Sequence, residues 1–423
     1  MDLYRVKKLT PCKLLQAEVP ASKSLLNRAL ILAAFGKGDV LLRCGSYADD
    51  TEAMLSCLTA LGIGTERRSD GVFVRGCGGI IGRRASLDVR SAGTAARFLT
   101  VALAFAGGDF TMTASAQMQR RPMEILSVLE RAGVAIEYLG EREHFPFRMI
   151  SNGIAETHFT VDTDMSTQYA SGLLLAAAAG HPLSLRLTGS RTNGSYIAMT
   201  LQLMEQFGAR CRRTGDVIEV TPFDRSPACI EIEADLSGAC YFYAMALLMR
   251  ARVCIPRVHF STLQGDIRFL RLLEERGVRL SDGPEGILAD GTDVRDYPGF
   301  DVDMHDFSDQ ALTVAALAPF AQTPSHLTGL SHTRRQESDR VRAIAENLTR
   351  LGVPVQEEED GVLIAPAPPK DAVLSSFGDH RVAMAFSLIG LKTGGVAIED
   401  PLCCAKTFPD YFSILDRITA EGH

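Results

Sequence analysis

The chain has 423 residues, with 44 Lys+Arg against 51 Asp+Glu and a net charge of −7. One hydrophobic core stops growing at about 250–300 residues, so a single core is excluded and two domains are expected. With 46% apolar and 22% charged residues the chain is not disordered. The acidic balance, with no basic block, argues against a nucleic-acid surface. The longest apolar stretch, Leu173–Ala179, falls far short of the ~20 residues that span a bilayer, so no membrane partner is expected. The opening MDLYRVKKLTPCKLL does not read as a secretory leader. Ten cysteines without a CxxC pair suit a reduced, cytoplasmic protein and leave no zinc site.

In chain order, residues 1–19 (LYRVKK…KLLQAEV) read as strands without a local partner. An apolar helix pattern opens at Ser22 (SKSLLNRALILAA), and an amphipathic one follows, ending at Gly62 in LTALGI. The pair then recurs. Apolar helices open again at Gly93, Ser166, Ser237, Asp309 and Asp379, and amphipathic helices end again at Gly133, Gly208, Gly277 and Gly352. Both series step by about 71 residues, so six repeats account for the chain. Gly just past a helix is the usual left-handed stop. Four of these glycines lead into turn and β-rich runs: SDGVFV, TGDVIEV, DGPEGILA and EEDGVLI. The last repeat, around PDYFSILDRIT, ends where a hairpin should follow, and residues 1–19 offer the missing strands. The expectation is a discontinuous domain of three repeats (1–19 with 232–423) and a continuous one of three (20–231). Helices apolar on all sides should be buried.

Helix N-termini attract anions through free N–H groups and a partial positive charge. Several starts here add cations and hydroxyls: Lys23, Ser24 and Arg28; Ser91, Thr94 and Arg97; Ser166, Thr167 and Gln168; His380 and Arg381. Any one start also reads as ordinary capping by Ser, Thr or Asp. Three further segments look chemical. RRQESDR (334–340) concentrates charge just before a helix, with Ser338 as its expected cap. CAKTFPDYF places Lys406 at the opening of the last helix. QRRPM places Arg121 before a helix start with Pro122 in its first turn.

PASKSLLNRA, SAGTAAR, RRPM, DMSTQYA, QGDIRF, SDQALTVA, ESDR, GDHRVAMA and AKTFPDYF occur in this order along nearly the whole chain. Together they resemble the 3-phosphoshikimate 1-carboxyvinyltransferase (EPSP synthase) family. The resemblance implies an α/β fold, a two-domain inside-out α/β barrel of six βαβαββ repeats. It implies transfer of the enolpyruvyl group of phosphoenolpyruvate to shikimate 3-phosphate, giving 5-enolpyruvylshikimate 3-phosphate and phosphate. That is a step of the shikimate pathway, leading to chorismate and aromatic amino acids. No metal or organic cofactor is implied, and the expected state is a cytoplasmic monomer.

Residue by residue, the resemblance makes Asp309 the base, Glu337 the proton donor and Lys23 a catalytic group between the substrates. Shikimate 3-phosphate falls to Lys23, Ser24, Arg28, Ser166, Thr167, Gln168, Asn193, Asp309, His332 and Gln336. Phosphoenolpyruvate falls to Lys23, Gly93, Arg121, Gln168, Arg340, Arg381 and Lys406. Tyr196 and Asp235 match supporting positions. The chain departs from the family pattern at Ala21 (usually Gly), Arg90-Ser91 (usually Gly-Asn), Asn193-Gly194-Ser195 (commonly Ser-basic-Pro) and Gln336 (usually Lys). The alternatives are an impaired relative that only binds a phosphorylated ligand, or enolpyruvyl transfer to a UDP-amino sugar. The second is disfavoured because TMTASAQMQRRP lacks the reactive Cys of that sister family.

Overall fold

The computed structural model describes residues 2–10, 14–79 and 81–421. The chain divides into two compact units, Ala21–Glu233 and Met1–Pro20 with Ala234–His423.

In the first unit, three helices pack against one another in the interior: Lys23–Phe35, Gly93–Ala106 and Thr167–Ala178. They are apolar on all sides, and every residue of Gly93–Ala106 is buried. Each buried Leu or Phe contributes about 1.5–3 kcal/mol, so these helices are core rather than surface. Gly172 permits the closest approach, since a Cβ there would lie 3.2 Å from Val101 Cγ2. The amphipathic helices are Asp49–Ala60, Ile125–Arg131 and Ser195–Gln206.

Three four-stranded sheets complete this unit. In the plainest, His158–Asp162 runs parallel to Leu183–Thr188, in register from His158↔Ser184 to Asp162↔Thr188. The hairpin Arg210–Thr214/Val217–Thr221 adds antiparallel strands on the far side. The parallel pair requires a crossover, which the buried helix supplies. The first repeat has no leading strand of its own. Cys229–Glu231, at the end of the unit, fills that place by pairing parallel with Asp39–Arg43.

The second unit repeats the plan with interior helices Leu236–Met249, Ala311–Leu317 and His380–Thr393, and amphipathic helices Ile267–Glu274, Arg340–Arg350 and Tyr411–Glu421. The N-terminal segment supplies strands here, but not as one hairpin. Leu3–Arg5 pairs antiparallel with Val396–Glu399. Leu15–Gln16 pairs parallel with Arg252–Pro256 in a different sheet. Leu15–Gln16 completes a four-stranded sheet, whereas Leu3–Arg5 brings the sheet of the last repeat to three strands among the described residues. Gly62, Gly133, Gly208, Gly277 and Gly352 all have φ between 72° and 94°, which an L-residue adopts only with strain.

Four local expectations shift. The helix expected at Ser237 begins at Leu236, capped by Asp235, whose Oδ1 accepts from Ser237 N at 3.2 Å. Asp309 is not the cap residue of Ala311–Leu317; it lies in the 3₁₀ turn Ser308–Gln310 that precedes that helix, where Gln310 holds the N-cap position. Asp339, not Ser338, caps Arg340–Arg350 by accepting from Arg342 N at 3.0 Å. Lys406 closes the 3₁₀ segment Pro401–Lys406, and the last helix opens only at Tyr411. Among the described residues, no helix is long and apolar enough to cross a membrane.

Candidate active site

In the unit of residues 21–233, the predicted residues gather at the starts of the three interior helices. Ser22 caps the first, accepting from Leu25 N at 3.4 Å, which leaves Lys23 and Ser24 in its opening turn. Lys23 Nζ lies 3.0 Å from Asp50 Oδ2. Arg28, one turn on, is 1% exposed. Its guanidinium donates to Thr200 Oγ1 (2.8 Å), Ser24 O (2.8 Å), Ser171 Oγ (3.3 Å) and Tyr196 O (3.5 Å), and lies over the rings of Phe98 and Tyr196. Every hydrogen-bond partner is neutral. Burial pulls Arg28 down to about 10, partly countered by the Tyr196 hydroxyl.

The other two helix starts form a second group. Ser166 caps Thr167–Ala178 by accepting from Gln168 N at 3.2 Å, so Thr167 and Gln168 occupy the opening turn. Gly93 opens its helix with no side-chain cap. A Cβ on Gly93 would lie 3.2 Å from Arg121 Nη1, 3.4 Å from Arg97 Nη1 and 3.7 Å from Gln168 Oε1. The missing side chain thus leaves a space faced by two guanidinium groups and an amide. Arg97 donates to Gly93 O and Pro122 O, both at 3.4 Å. Burial lowers its pKa, and the Arg121 charge lowers it further. Among the described residues, neither Arg28 nor Arg97 forms an ion pair. Asn193 stands apart, exposed in the loop before Ser195–Gln206.

In the other unit, four predicted residues come together around a fifth, a buried arginine. Arg340 is 2% exposed and donates from Nη1 to Asp309 Oδ1 (2.7 Å), from Nε to Asp379 Oδ2 (3.0 Å) and from Nη2 to Glu337 Oε2 (3.4 Å). Arg381 Nη2 donates to Asp309 Oδ2 at 2.9 Å, and Lys406 Nζ to Glu337 Oε1 at 2.9 Å. Burial would lower the Arg340 pKa, but the carboxylates of Asp379, Asp309 and Glu337 outweigh it and raise it. Three cations thus alternate with three carboxylates. His332 adjoins this cluster through Ser308, whose Oγ lies 2.9 Å from His332 Nε2. Gln336 ends the 3₁₀ segment Ser331–Arg335, and its backbone N–H donates to Thr333 O at 3.3 Å.

Three carboxylates escaped the sequence reading as site residues. Asp379 is fully buried. Its Oδ1 caps Arg381 N at 2.9 Å, while Oδ2 accepts from Arg340 and from Ser338 Oγ at 3.0 Å. Asp50 meets Lys23, and its signal was the acidic pair in YADDTEAML. Asp266, in QGDIRF, accepts from Ser237 Oγ. Burial and the nearby charge of Asp309 push Asp266 up to about 6. Among the described residues, no group of three or more His, Cys, Asp or Glu is placed to hold a metal ion.

Helix starts that gather donors in one unit, and in the other unit a group of carboxylates able to move protons, suit a transferase of anionic substrates. The fold is shared with solved structures over almost the whole chain. EPSP synthase from Acinetobacter baumannii aligns with TM-score 0.75 and 24% identity, covering 97% of each chain. The enolpyruvyl transferase NikO from Streptomyces tendae aligns with TM-score 0.73 and 16% identity, covering 98% of this chain and 96% of its own. At these identities the likeness is one of fold alone.

The family model for EPSP synthase (3-phosphoshikimate 1-carboxyvinyltransferase) matches residues 12–415. The chain is 40% identical over 412 residues to 3-phosphoshikimate 1-carboxyvinyltransferase 2 of Halalkalibacterium halodurans, covering 96% of this chain and 92% of that one. It is 37% identical over 406 residues to 3-phosphoshikimate 1-carboxyvinyltransferase of a Nostoc species, covering 94% of each. The chain belongs to the EPSP synthase family.

Proposed function

We propose that the chain transfers the enolpyruvyl group of phosphoenolpyruvate to shikimate 3-phosphate, releasing phosphate and 5-enolpyruvylshikimate 3-phosphate. The observation that carries the reading is the cluster in which Asp309 and Glu337 share the cations Arg340, Arg381 and Lys406. The reaction needs both partners of that cluster. Fixed cations replace the water around the anionic phosphoenolpyruvate. A carboxylate takes the proton of the attacking hydroxyl as its oxygen adds to the enol carbon, and an acid protonates the methylene carbon. Loss of a methyl proton and of phosphate then restores the enol ether.

Asp309 takes the role of base and Glu337 that of acid. Lys23, Arg340, Arg381 and Lys406 hold phosphoenolpyruvate, together with Gly93, Arg121 and Gln168. Lys23, Ser24, Arg28, Ser166, Thr167, Gln168, Asn193, Asp309, His332 and Gln336 hold shikimate 3-phosphate. Arg28 suits a phosphate because, among the described residues, no carboxylate pairs with it. The proposed setting is a cytoplasmic monomer acting on small molecules, with neither nucleic acid nor membrane as partner. Phosphate release with both substrates present tests the reading. Release that requires both is expected; release with a UDP-amino sugar as acceptor instead, or none at all, would overturn it.

A further inference from the structure

Asp50 is a buried carboxylate with one ion pair among the described residues, to Lys23 Nζ at 3.0 Å; its side chain is 3% exposed. It lies in the first turn of Asp49–Ala60, where any acid gains from the helix dipole. Asp49 already supplies that charge at the surface, paired with Arg90 at 2.8 Å. A dipole role therefore does not explain a second acid placed where desolvation works against it. The backbone fixes the acid first. Thr51 N bonds Ala48 O at 3.0 Å, closing the turn. Ala21 N bonds Ser46 O at 2.7 Å, tying the approach to Lys23 to the loop before Asp49. What remains mobile is the four-carbon stem of Lys23, and Asp50 receives its ammonium.

We propose that Asp50 is a positioning residue that holds the Lys23 ammonium in place and takes up part of its charge. The proposal rests on reading Lys23 as a substrate-binding lysine. The contact acts in two opposed ways. Neutralising Lys23 weakens ground-state attraction for anionic substrate. Fixing Lys23 favours the transition state, where placement counts most. A residue needed only for the fold would not separate these.

Asp50→Asn should lower kcat at least tenfold while the calorimetric Kd for phosphoenolpyruvate tightens ~3–10-fold, about 0.7–1.4 kcal/mol. Asp50→Glu, which keeps the charge, should recover part of kcat. In a Lys23→Met background, Asp50→Asn should change neither quantity further. A parental kcat in Asp50→Asn, an unchanged or weaker Kd, or an undiminished effect without Lys23 overturns the proposal. Should Asp50→Asn fail to fold, the double variant Lys23→Met, Asp50→Leu decides by its Tm. A parental Tm supports an acid retained for Lys23; a double variant that also fails makes Asp50 a fold residue and overturns the idea. If the parent releases no phosphate the transfer reading falls, and the Kd comparison still decides the role of Asp50.

Discussion

The two units solve the problem of buried positive charge in opposite ways. In residues 21–233, Arg28 is surrounded by hydroxyls, carbonyls and aromatic faces, and Arg97 by carbonyls. In the other unit, Arg340, Arg381 and Lys406 are held by Asp309, Glu337 and Asp379. A cation among neutral acceptors keeps its full attraction for a ligand but carries an uncompensated desolvation cost. A cation among carboxylates is stable in place, and those carboxylates can also move protons. The first arrangement suits holding a phosphate; the second suits holding an anion where protons are exchanged. Lys23–Asp50 departs from this in the first unit, which is why Asp50 stands out.

The largest effect should come from the proton-moving side. Both Asp309 carboxylate oxygens go to arginines, and Gln310 holds the N-cap position of the helix that follows, so Asp309→Asn tests its chemistry and not a helix start. Turnover should fall on the order of 10²–10⁴, read by steady-state phosphate release. Parental turnover would place the base elsewhere.

The contrast itself is tested by replacing each arginine with methionine. Arg340→Met leaves Asp309, Asp379 and Glu337 facing one another with fewer cations, and stability should drop by about 3–5 kcal/mol. Arg28→Met strands no carboxylate, so denaturant unfolding should show less than about 1.5 kcal/mol of change. Its cost should appear in binding instead. Lost hydrogen bonds to a charged group weaken shikimate 3-phosphate by about 1.5–3 kcal/mol, roughly 10–150-fold. Equal destabilisation by the two substitutions would erase the distinction between the units.

Asp266 gives the comparison a pH signature. Burial, then the charge of Asp309, raises its pKa from 3.8 to about 6. The folded protein therefore binds this proton more tightly than the unfolded chain. The resulting stability is fully present below about pH 4 and is lost as pH rises through about 6. Asp266→Asn does not titrate. Its unfolding free energy relative to the parent should rise between pH 4 and 7, toward a difference of about 2–3 kcal/mol, read from denaturant melts at each pH. A pH-independent difference would mean that Asp266 is not held protonated.

Much of this was legible in the sequence because it is periodic or local. The 71-residue step, the glycine stops and the all-apolar helices each follow from a few neighbouring residues. The pairing of the N-terminal strands was not legible, because Leu3–Arg5 and Leu15–Gln16 find partners hundreds of residues away in two different sheets. Asp379 was read only as a helix start. One of its oxygens does cap, but the other serves Arg340, and a sequence pattern shows only the first. Asp309 also stands at a helix start, but its carboxylate goes to two arginines, contacts that the fold makes and the local pattern does not show.

The smallest expected effect concerns Gln336, where the family pattern has Lys. A neutral amide offers a hydrogen bond of about 1 kcal/mol, against about 1.5–3 for a charged donor. The shortfall of ~1–2 kcal/mol is roughly 5–30-fold in affinity. Two arginines precede Gln336, and the structure separates them. Arg334 is committed: it pairs with Asp339 at 2.9 Å and Glu357 at 2.8 Å and donates to the carbonyls of Glu358 and Glu359. Arg335 is exposed and makes no ion pair among the described residues, so its charge is the one left to offer. If Arg335 replaces the missing lysine, Arg335→Ala should lower kcat/KM for shikimate 3-phosphate at least tenfold, and Gln336→Lys should add little. Steady-state kinetics on the two variants decides it. A near-normal Arg335→Ala, with a clear gain in Gln336→Lys, would show that the charge is simply missing and that the unit's cation set is one short.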